Sequence, residues 1–353
     1  MKIAVLSGGL STERDVAISS GKKISQALRS KGHKVVLIDV FMGYEEDICD
    51  IDALYDEGYE LTPDTSISTD VPDIEAIKAQ RRDKSNRFIG EHVLDICAAA
   101  DITFFALHGG EGENGQLQAA FDLMGIRYTG AGYLASAVAM HKGFAKSIFL
   151  QSGVSTPMGK LYDRADFNSG RCAEWENFPC VVKPCSGGSS VGVSIVESKK
   201  DYDEALRFAF KYDEEVIVEE YIKGRELSVG LLDGKALPII EIIPKEGFYD
   251  YKNKYQSGAA EDICPAVIDE ETTKAIQLEA EKAFAALGLE AYSRIDFILT
   301  EDKKFYCIEA NNLPGMTPLS LLPQEAKAVG IDYPDLCDLI VELSLKKYAL
   351  TVR

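Results

Sequence analysis

Long apolar runs are missing from this chain of 353 residues. No stretch approaches the roughly 20 consecutive apolar residues that a membrane-spanning helix requires. The opening segment, MKIAVLSGG, is too short and turns polar too early for a secretory signal peptide. These two absences predict a cytoplasmic protein that does not have a membrane as its partner.

Basic residues are in short supply. The chain has 38 Lys and Arg against 57 Asp and Glu, which gives a formal net charge of −19 at pH 7. A surface this negative repels phosphate backbones and anionic lipids, so we expect neither nucleic acid nor membrane as a partner. A polyanionic small molecule would have to be held by a few local cations, with help from a metal ion.

Paired cysteines and clustered histidines are also missing. None of the eight cysteines forms a C-x-x-C pair, and the four histidines lie too far apart for a zinc site. We therefore expect reduced cysteines in apolar cores, and neither disulfides nor zinc ligands.

Two common nucleotide-binding fingerprints are absent. The loop that follows the first apolar segment contains no G-x-G-x-x-G, which argues against the usual dinucleotide site. The glycine- and serine-rich segment 184–190 contains no G-K-[ST] and leads toward a strand, which excludes a Walker P-loop.

The remaining pattern is that of a large mixed α/β protein. A hydrophobic fraction of 46% supports real cores, and the length suggests two or three domains. The first 40 residues predict a strand over 2–6, a helix capped by Thr12-x-x-Asp15 that runs to about residue 30, and a strand over 34–40. This order implies a parallel sheet with a right-handed crossover.

Later segments alternate between the two types of element. Residues 42–90 are acidic and weakly periodic, and predict an excursion with one or two short elements. Beyond it, the pattern predicts strands over 102–107, 180–183, 191–196, 215–219, 227–232 and 237–243, and helices over 115–123, 134–151, 200–211, 270–287 and from about 333.

A hairpin over 292–309 is the most informative feature. If its turn centres on Asp302-Lys303, Asp296 lies opposite Glu309, and Asn311 projects from the same face as Glu309. Two carboxylates and an amide oxygen suit Mg²⁺ that bridges phosphates. An ordinary solvated sheet face is the alternative, and a slip of one residue would separate the two carboxylates.

Three loops are candidates for binding. Segment 184–190 follows Lys183 and predicts a flap that covers phosphates, with Lys142 as a second cation, or else a flexible surface turn. Segment 219–226 could bind a purine edge and ribose hydroxyls. His108 follows a predicted parallel strand, where α/β folds bind ligands.

Eight segments occur in an order that resembles the D-alanine–D-alanine ligase family of the ATP-grasp superfamily. They are GGLSTERDV, ALHGGEGENG, YTGAGYLASAVAMHK, VVKPCSGGSSVGVS, EEVIVEEYIKGRE, FYDYKNKY, SRIDF and IEANNLPGMTPLSL. The resemblance implies an ATP-grasp fold of α/β and α+β type. Its parts would be an N-terminal Rossmann-like α/β domain (1–130) and two α+β subdomains (131–220 and 221–353) that clamp ATP. It also implies a homodimer that joins two D-alanine molecules through an acyl phosphate for peptidoglycan synthesis.

The resemblance also assigns site residues. For ATP they are Lys142, Lys183, Ser186, Gly187, Gly188, Ser190, Glu219, Glu220, Tyr221, Ile222 and Glu226. For two Mg²⁺ ions, with Mn²⁺ as a possible substitute, they are Asp296, Glu309 and Asn311. The catalytic residues would be Glu13, Ser189, Tyr255, Arg294 and Gly315, and the substrate would also meet His108, Lys254, Ser320 and Leu321.

Some positions depart from the family pattern. They are Ala17, Asn114, His141, Glu220 and Asn312.

The alternatives to this function are a ligase that joins D-alanine to D-serine or D-lactate, another ATP-grasp amino-acid ligase, and a nucleotide-binding regulator without catalysis. Retention of Lys254-Tyr255 favours an amine acceptor. A binder without catalysis has no need of the full set formed by Arg294, Asp296, Glu309 and Asn311.

Overall fold

The computed structural model describes residues 1–60, 72–188, 190–244 and 260–349. Within them the strands are β1 (Lys2–Ser7), β2 (Lys34–Asp39), β3 (Ile102–Phe105), β4 (Gly159–Asp163), β5 (Cys180–Pro184), β6 (Ser194–Val196), β7 (Glu215–Glu220), β8 (Arg225–Leu232), β9 (Lys235–Ala236), β10 (Ile240–Pro244), β11 (Ala260–Ile263), β12 (Tyr292–Leu299) and β13 (Phe305–Asn311).

The helices lie between these strands and after them. They are α1 (Arg14–Ser30), α2 (Ile51–Glu57), α3 (Ile74–Gln80), α4 (Val93–Ala98), α5 (Gly110–Glu113), α6 (Gln116–Met124), α7 (Tyr133–Met140), α8 (Lys142–Gln151), α9 (Arg164–Ser169), α10 (Lys199–Ala209), α11 (Glu270–Ala286), α12 (Leu321–Ala328) and α13 (Tyr333–Ala349), with a 3₁₀ turn at Arg171–Glu174. None of the helices in the described ranges is long and apolar enough to cross a membrane.

The N-terminal sheet has the order β2-β1-β3, and all its pairings are parallel, as the sequence predicts. The capping prediction for α1 was wrong, because the helix begins at Arg14 with Glu13 in the N-cap position. The Arg14 side chain turns back to the carbonyl of Gly9 at 2.6 Å and pairs with the buried Asp39. These contacts fix the end of β1, the end of β2 and the start of α1 to one another.

A second sheet has the antiparallel order β4-β7-β5-β6 and carries α10 on one face. The sequence pattern missed β4, and it predicted β6 three residues too long. Ser190 and Gly192 have φ angles of 59° and 77°, which are incompatible with an extended strand, so the loop before β6 continues to residue 193.

The third sheet has the antiparallel order β11-β10-β8-β12-β13, and β9 also pairs with β8. On one face it shares an apolar core with α7, α8 and α11. On the other face, α12 and α13 join the core of the N-terminal sheet, where Leu322 and Ile340 are fully buried. The C-terminal helices therefore connect the first and third sheets.

One predicted helix is in fact two. The pattern over 134–151 breaks at His141, whose φ and ψ of −88° and 94° are not helical. This residue ends α7 and begins α8, and its Nδ1 accepts the N–H of Phe144 at 3.2 Å. Hydrophobic periodicity continued through the break and hid it.

Candidate active site

A single cleft brings together all eleven residues predicted for ATP. It lies between the second and third sheets. The lining residues that belong to the predicted set are Lys142, Lys183, Ser186, Gly187, Gly188, Ser190, Glu219, Glu220, Tyr221, Ile222 and Glu226. The predicted metal residue Glu309 lines the same cleft. Residues that are far apart in sequence thus form one surface.

The walls of the cleft are apolar on both sides. Val181 and Tyr221 lie on the side of the second sheet, whereas Ile298 and Ile308 come from the hairpin β12–β13. Alternation along each strand points one side chain in two toward the cleft. A slot with apolar faces and polar ends fits a flat, heterocyclic base.

Two lysines share one carboxylate in the cleft. Lys183 of β5 donates to Oε1 of Glu219 on β7, and Lys146 of α8 lies 2.9 Å from Oε2. Lys146 also donates to Thr156 Oγ1 at 2.9 Å and to the Pro157 carbonyl at 2.6 Å. Burial opposes ionisation of Glu219, but the two ammonium groups lower its pKa overall. Burial also lowers the pKa of Lys146.

The loop between β5 and β6 adopts conformations that its glycines and serines permit. Gly187 has a φ of 106°, in the region that residues with a side chain avoid. Its carbonyl accepts from the Lys142 ammonium at 2.7 Å, and the N–H of Ser186 donates to Asp213 at 2.7 Å. Ser189, another predicted member of this loop, lies outside the described residues. These two hydrogen bonds therefore hold the loop to α8 and to Asp213, which lies two residues before β7.

The hairpin β12–β13 carries the acidic residues in the predicted register. Asp296 pairs with Glu309, and Arg294 pairs with Asn311. Arg294 donates to both oxygens of Asp296 at 2.8 and 2.7 Å, and Asn311 adds a donor at 3.1 Å. Ser228 of the neighbouring β8 donates to Asp296 Oδ1 at 2.7 Å. Glu309 lies 3.7 Å from the Lys142 ammonium, which links the hairpin to the cleft lysines.

A second group of polar residues lies beside the phosphate loop. Glu13, at the start of α1, is so close to the loop that a Cβ added at Gly188 would lie 3.4 Å from Glu13 Oε2. His108 is buried and donates from Nδ1 to the carbonyl of Leu313 at 3.1 Å, so its Nε2 accepts from Ser20 Oγ at 3.3 Å. Burial lowers the pKa of His108, which favours this neutral form.

Glu113 belongs to this group, although sequence reasoning did not select it. Its Oε2 accepts the N–H of Gly109 at 2.8 Å. Burial, together with the negative charge of Glu13, raises the pKa of Glu113 to about 7. The only signal in the sequence was its place in the segment ALHGGEGENG. Lys146 and Asp213 were also missed, because nothing in the sequence separates them from ordinary surface charges.

Two of the residues predicted to meet the substrate lie at the start of α12. Ser320 is the N-cap of this helix, and Leu321 is its first residue. Ser320 Oγ accepts the N–H of Thr317 at 3.1 Å, and a Cβ added at Gly315 would lie only 3.0 Å from Ser320 Oγ. Backbone N–H groups at a helix start attract an anion. Lys254 and Tyr255, which the sequence also assigns to substrate, lie outside the described residues.

Two of the atypical positions make contacts that explain how they are accommodated. Asn312 donates to the carbonyl of Glu113 at 3.2 Å. Glu220 accepts the N–H of Met158 at 2.8 Å and still lines the cleft. The described structure gives no reason for the departure at Ala17.

Most of the chain matches one family. A family model for the D-ala D-ala ligase N-terminus matches residues 2–131, and one for the D-ala D-ala ligase C-terminus matches residues 154–342. The chain belongs to the D-alanine–D-alanine ligase family. It is therefore an ATP-grasp ligase.

Relatives and solved structures agree with this family. The D-alanine–D-alanine ligase of Pediococcus pentosaceus is 47% identical over 350 residues, which cover 99% of both chains. The ligase of Bacillus anthracis, solved with ATP, is 29% identical with a TM-score of 0.71 and 99% coverage of both chains. The VanG D-Ala:D-Ser ligase of Enterococcus faecalis is 28% identical with a TM-score of 0.73, covering 98% of this chain and 99% of that one.

Proposed function

We propose that this protein uses ATP to activate one D-alanine and then joins it to the amine of a second D-alanine. The observation that carries the proposal is the continuity of the polar residues. Lys142 donates to the loop carbonyl of Gly187 and lies 3.7 Å from Glu309, while Gly188 of the same loop approaches Glu13. A nucleotide in the cleft would thus have its phosphates beside the place where an amino acid would bind.

Lys142 and Lys183 are the cations that we assign to the phosphates. The loop from Ser186 to Ser190 would cover them, and its backbone N–H groups suit anionic oxygens. Residues Glu219 to Ile222 would line the base, and Glu226 would accept from ribose hydroxyls. Although the chain is strongly negative overall, these two lysines both line the cleft and would place positive charge directly at the phosphates.

The hairpin residues fit a divalent cation. Asp296, Glu309 and Asn311 offer oxygen donors on neighbouring strand positions, and oxygen-only sets suit Mg²⁺ or Mn²⁺. The described residues contain no cluster of three His, Cys, Asp or Glu, so nucleotide phosphates would have to complete the coordination. We assign two ions to this site, where bound metal supplies positive charge to the phosphates.

In the first step, a carboxylate oxygen of the first D-alanine would attack the γ-phosphorus, and the bond to the ADP oxygen would break. Glu13 would bind the substrate ammonium, with Ser189 and Tyr255 around it and His108 nearby. Lys254 would contact the transferred phosphoryl group. The protein contributes positioning and charge, which dominate catalysis of phosphoryl transfer.

In the second step, the amine of the second D-alanine would attack the acyl carbon, lose a proton, and expel phosphate. Arg294 and the N–H of Gly315 would stabilise the oxyanion that forms. Ser320 and Leu321 would bind the carboxylate of the second substrate at the start of α12, where the helix dipole favours negative charge.

The larger organisation is part of the proposal. We assign residues 1–130 to an N-terminal α/β domain, and residues 131–220 and 221–353 to the two subdomains that clamp ATP. We further propose a homodimer that works in the cytoplasm on small-molecule substrates and supplies peptidoglycan precursors.

D-serine is the second candidate acceptor, because one solved structure of the same fold and similar length is a D-Ala:D-Ser ligase. D-Lactate is less compatible with the retained Lys254-Tyr255. Mass analysis of the products from ATP, D-alanine, D-serine and D-lactate in one mixture tests the acceptor. We expect D-alanyl-D-alanine as the main product; a dominant mixed product would replace this assignment.

A further inference from the structure

His141 occupies a junction between three parts of the nucleotide cleft. It is the residue between α7 and α8, directly before Lys142. Its Nε2 lies 3.0 Å from Glu215 Oε2 on β7, and its Nδ1 lies 3.2 Å from the sulfur of Cys185, which follows β5. Its ring also stacks on Phe144, with centroids 4.0 Å apart.

The protons around His141 can be assigned from these contacts. The N–H of Phe144 donates to Nδ1 at 3.2 Å, so Nδ1 has to present a lone pair. Glu215 is a carboxylate, so Nε2 has to carry a proton. The sulfur of Cys185 accepts the N–H of Gly143 at 3.2 Å and can donate its own proton to Nδ1. The neutral Nε2–H tautomer therefore fits these contacts, with the Phe144 N–H and the Cys185 thiol sharing the single lone pair of Nδ1.

The hydrogen bonds around His141 extend to Lys142 and to the loop after β5, which would both contact the phosphates. The carbonyl of Cys185 accepts the N–H of Lys142 at 2.9 Å, and the N–H of Cys185 donates to the carbonyl of Glu215 at 2.9 Å. The Lys142 ammonium in turn donates to the carbonyl of Gly187 at 2.7 Å. A change at His141 would thus move the start of α8 relative to the loop.

We propose that His141, in its neutral Nε2–H form, is a positioning residue that fixes Lys142 and the loop residues Cys185 to Gly187 for the phosphates of ATP, so that nucleotide binding weakens when His141 is protonated. The inference rests on the proposed function, because it assumes that the cleft binds ATP. His141 does not contact the reacting atoms and acts through Lys142.

The groups around His141 set the sign of this effect. Protonation would place an N–H at Nδ1, where the Phe144 N–H and the thiol already point. The helix start and the Lys142 ammonium also oppose a positive charge, whereas Glu215, and Asp213 beyond it, favour one. Burial raises the pKa of Cys185 to about 12, so the sulfur is a thiol and supplies no negative charge. The Nε2–H of His141 can donate to Glu215 whether the ring is neutral or protonated. Protonation therefore disturbs only the contacts at Nδ1.

His141→Asn separates geometry from titration. Asparagine is a good N-cap residue and keeps an acceptor for Phe144, but it does not titrate. The measurement is KM for ATP and kcat at saturating D-alanine between pH 5.5 and 8.5, expressed as the ratio of wild type to variant. Protonation of ATP itself affects the KM of both proteins equally, so its effect cancels in this ratio.

We expect the wild-type KM for ATP to rise relative to that of the variant by roughly two- to thirty-fold at acid pH, the range that loss of an N-cap contact produces. The kcat ratio should change less. His92→Asn is the matched control, because His92 also lies at an N-cap but makes no capping hydrogen bond. A KM ratio that stays constant across the pH range would overturn the inference.

A second measurement needs no variant. The ¹⁵N chemical shifts of the His141 ring in wild-type protein should report the Nε2–H tautomer at pH 8; an Nδ1–H tautomer or an imidazolium there would contradict the inference. Failure of the proposed function is distinct, since wild type would then release no phosphate from ATP in the presence of D-alanine at pH 8.

Discussion

Arg294 binds both carboxylate oxygens of Asp296, two residues further along β12, at 2.8 and 2.7 Å. A guanidinium and a carboxylate in this side-by-side arrangement hold each other in one orientation. The pair balances the charge of Asp296 within the chain and fixes the guanidinium of Arg294, which we propose stabilises the oxyanion.

Arg294→Lys tests this geometry, since lysine keeps the charge but loses the planar fork. We expect kcat to fall by about 10²–10³, the loss typical for one oxyanion donor, with a smaller change in the KM for ATP. Arg225→Lys is the matched control, because Arg225 makes the same two-armed contact with Glu241, at 2.6 Å on each arm. Equal losses in the two variants would show that the forked geometry of Arg294 has no special role.

Glu309→Gln tests the acidic pair on the hairpin. The amide keeps the shape of the side chain but removes the charge that a divalent cation requires. Turnover should be lost while the melting temperature stays within a few degrees of wild type. Glu301→Gln changes an exposed carboxylate in the turn of the same hairpin and should leave turnover intact. Near-normal turnover of the Glu309 variant would remove this residue from the metal site.

Lys146→Met tests a residue that the sequence did not single out. Lys146 and Lys183 both bind Glu219, so removing one cation leaves the buried carboxylate with half of its compensation. We expect a raised KM for ATP and a loss of at most about 3–5 kcal/mol in unfolding free energy, because Lys183 remains. Lys160→Met removes an exposed ion pair with Glu174 and should change neither quantity. An unchanged KM and an unchanged stability would separate Lys146 from the cleft.

Glu325 predicts a pH dependence of stability. It is fully buried on α12, accepts the N–H of Gly230 at 3.0 Å, and burial raises its pKa well above the usual value. Because the folded state holds this proton more tightly than the unfolded state, its contribution is complete at pH 4 and falls as pH rises. The fall is at most about 1.4 kcal/mol per pH unit.

The Glu325→Gln variant has no such ionisable proton. The melting temperature of the variant minus that of wild type should therefore increase from pH 5 to pH 8. Glu342→Gln is the control, because Glu342 is exposed. The difference in melting temperature between this variant and wild type should not depend on pH. If the Glu325 variant follows the wild-type curve in parallel, Glu325 is ionised in the folded protein.

The pairing of Asp296 with Glu309 was predictable from the sequence, but the β-bulge that produces this pairing was not. Asp296 faces Glu309 as expected, yet beyond it Phe297 pairs with Cys307, so Ile308 is the extra residue of a β-bulge. The turn is therefore one residue tighter than assumed, and the bulge restores the pairing at the site. A bulge has no reliable signature in a single sequence, because its cost and benefit depend on the neighbouring strand.

Local patterns otherwise located most strands and the long helices, because apolar periodicity records which face is buried. They missed β4, in which only Tyr162 is buried, and the break at His141, which depends on hydrogen bonds to other segments. Lys142, Lys183 and the loop after β5 could be grouped from the sequence, but joining them with segment 219–226 and the hairpin in one cleft required the family resemblance. The shared carboxylate of Lys146 and Lys183 arises from contacts between α8, β5 and β7 that no local pattern encodes.

The most direct test of the account is release of phosphate from ATP by the wild-type protein, measured with D-alanine, with L-alanine and with no amino acid, each with and without Mg²⁺. We predict release only where D-alanine and Mg²⁺ are both present, with D-alanyl-D-alanine formed in equal amount. Equal release with L-alanine, or release without dipeptide formation, would contradict it.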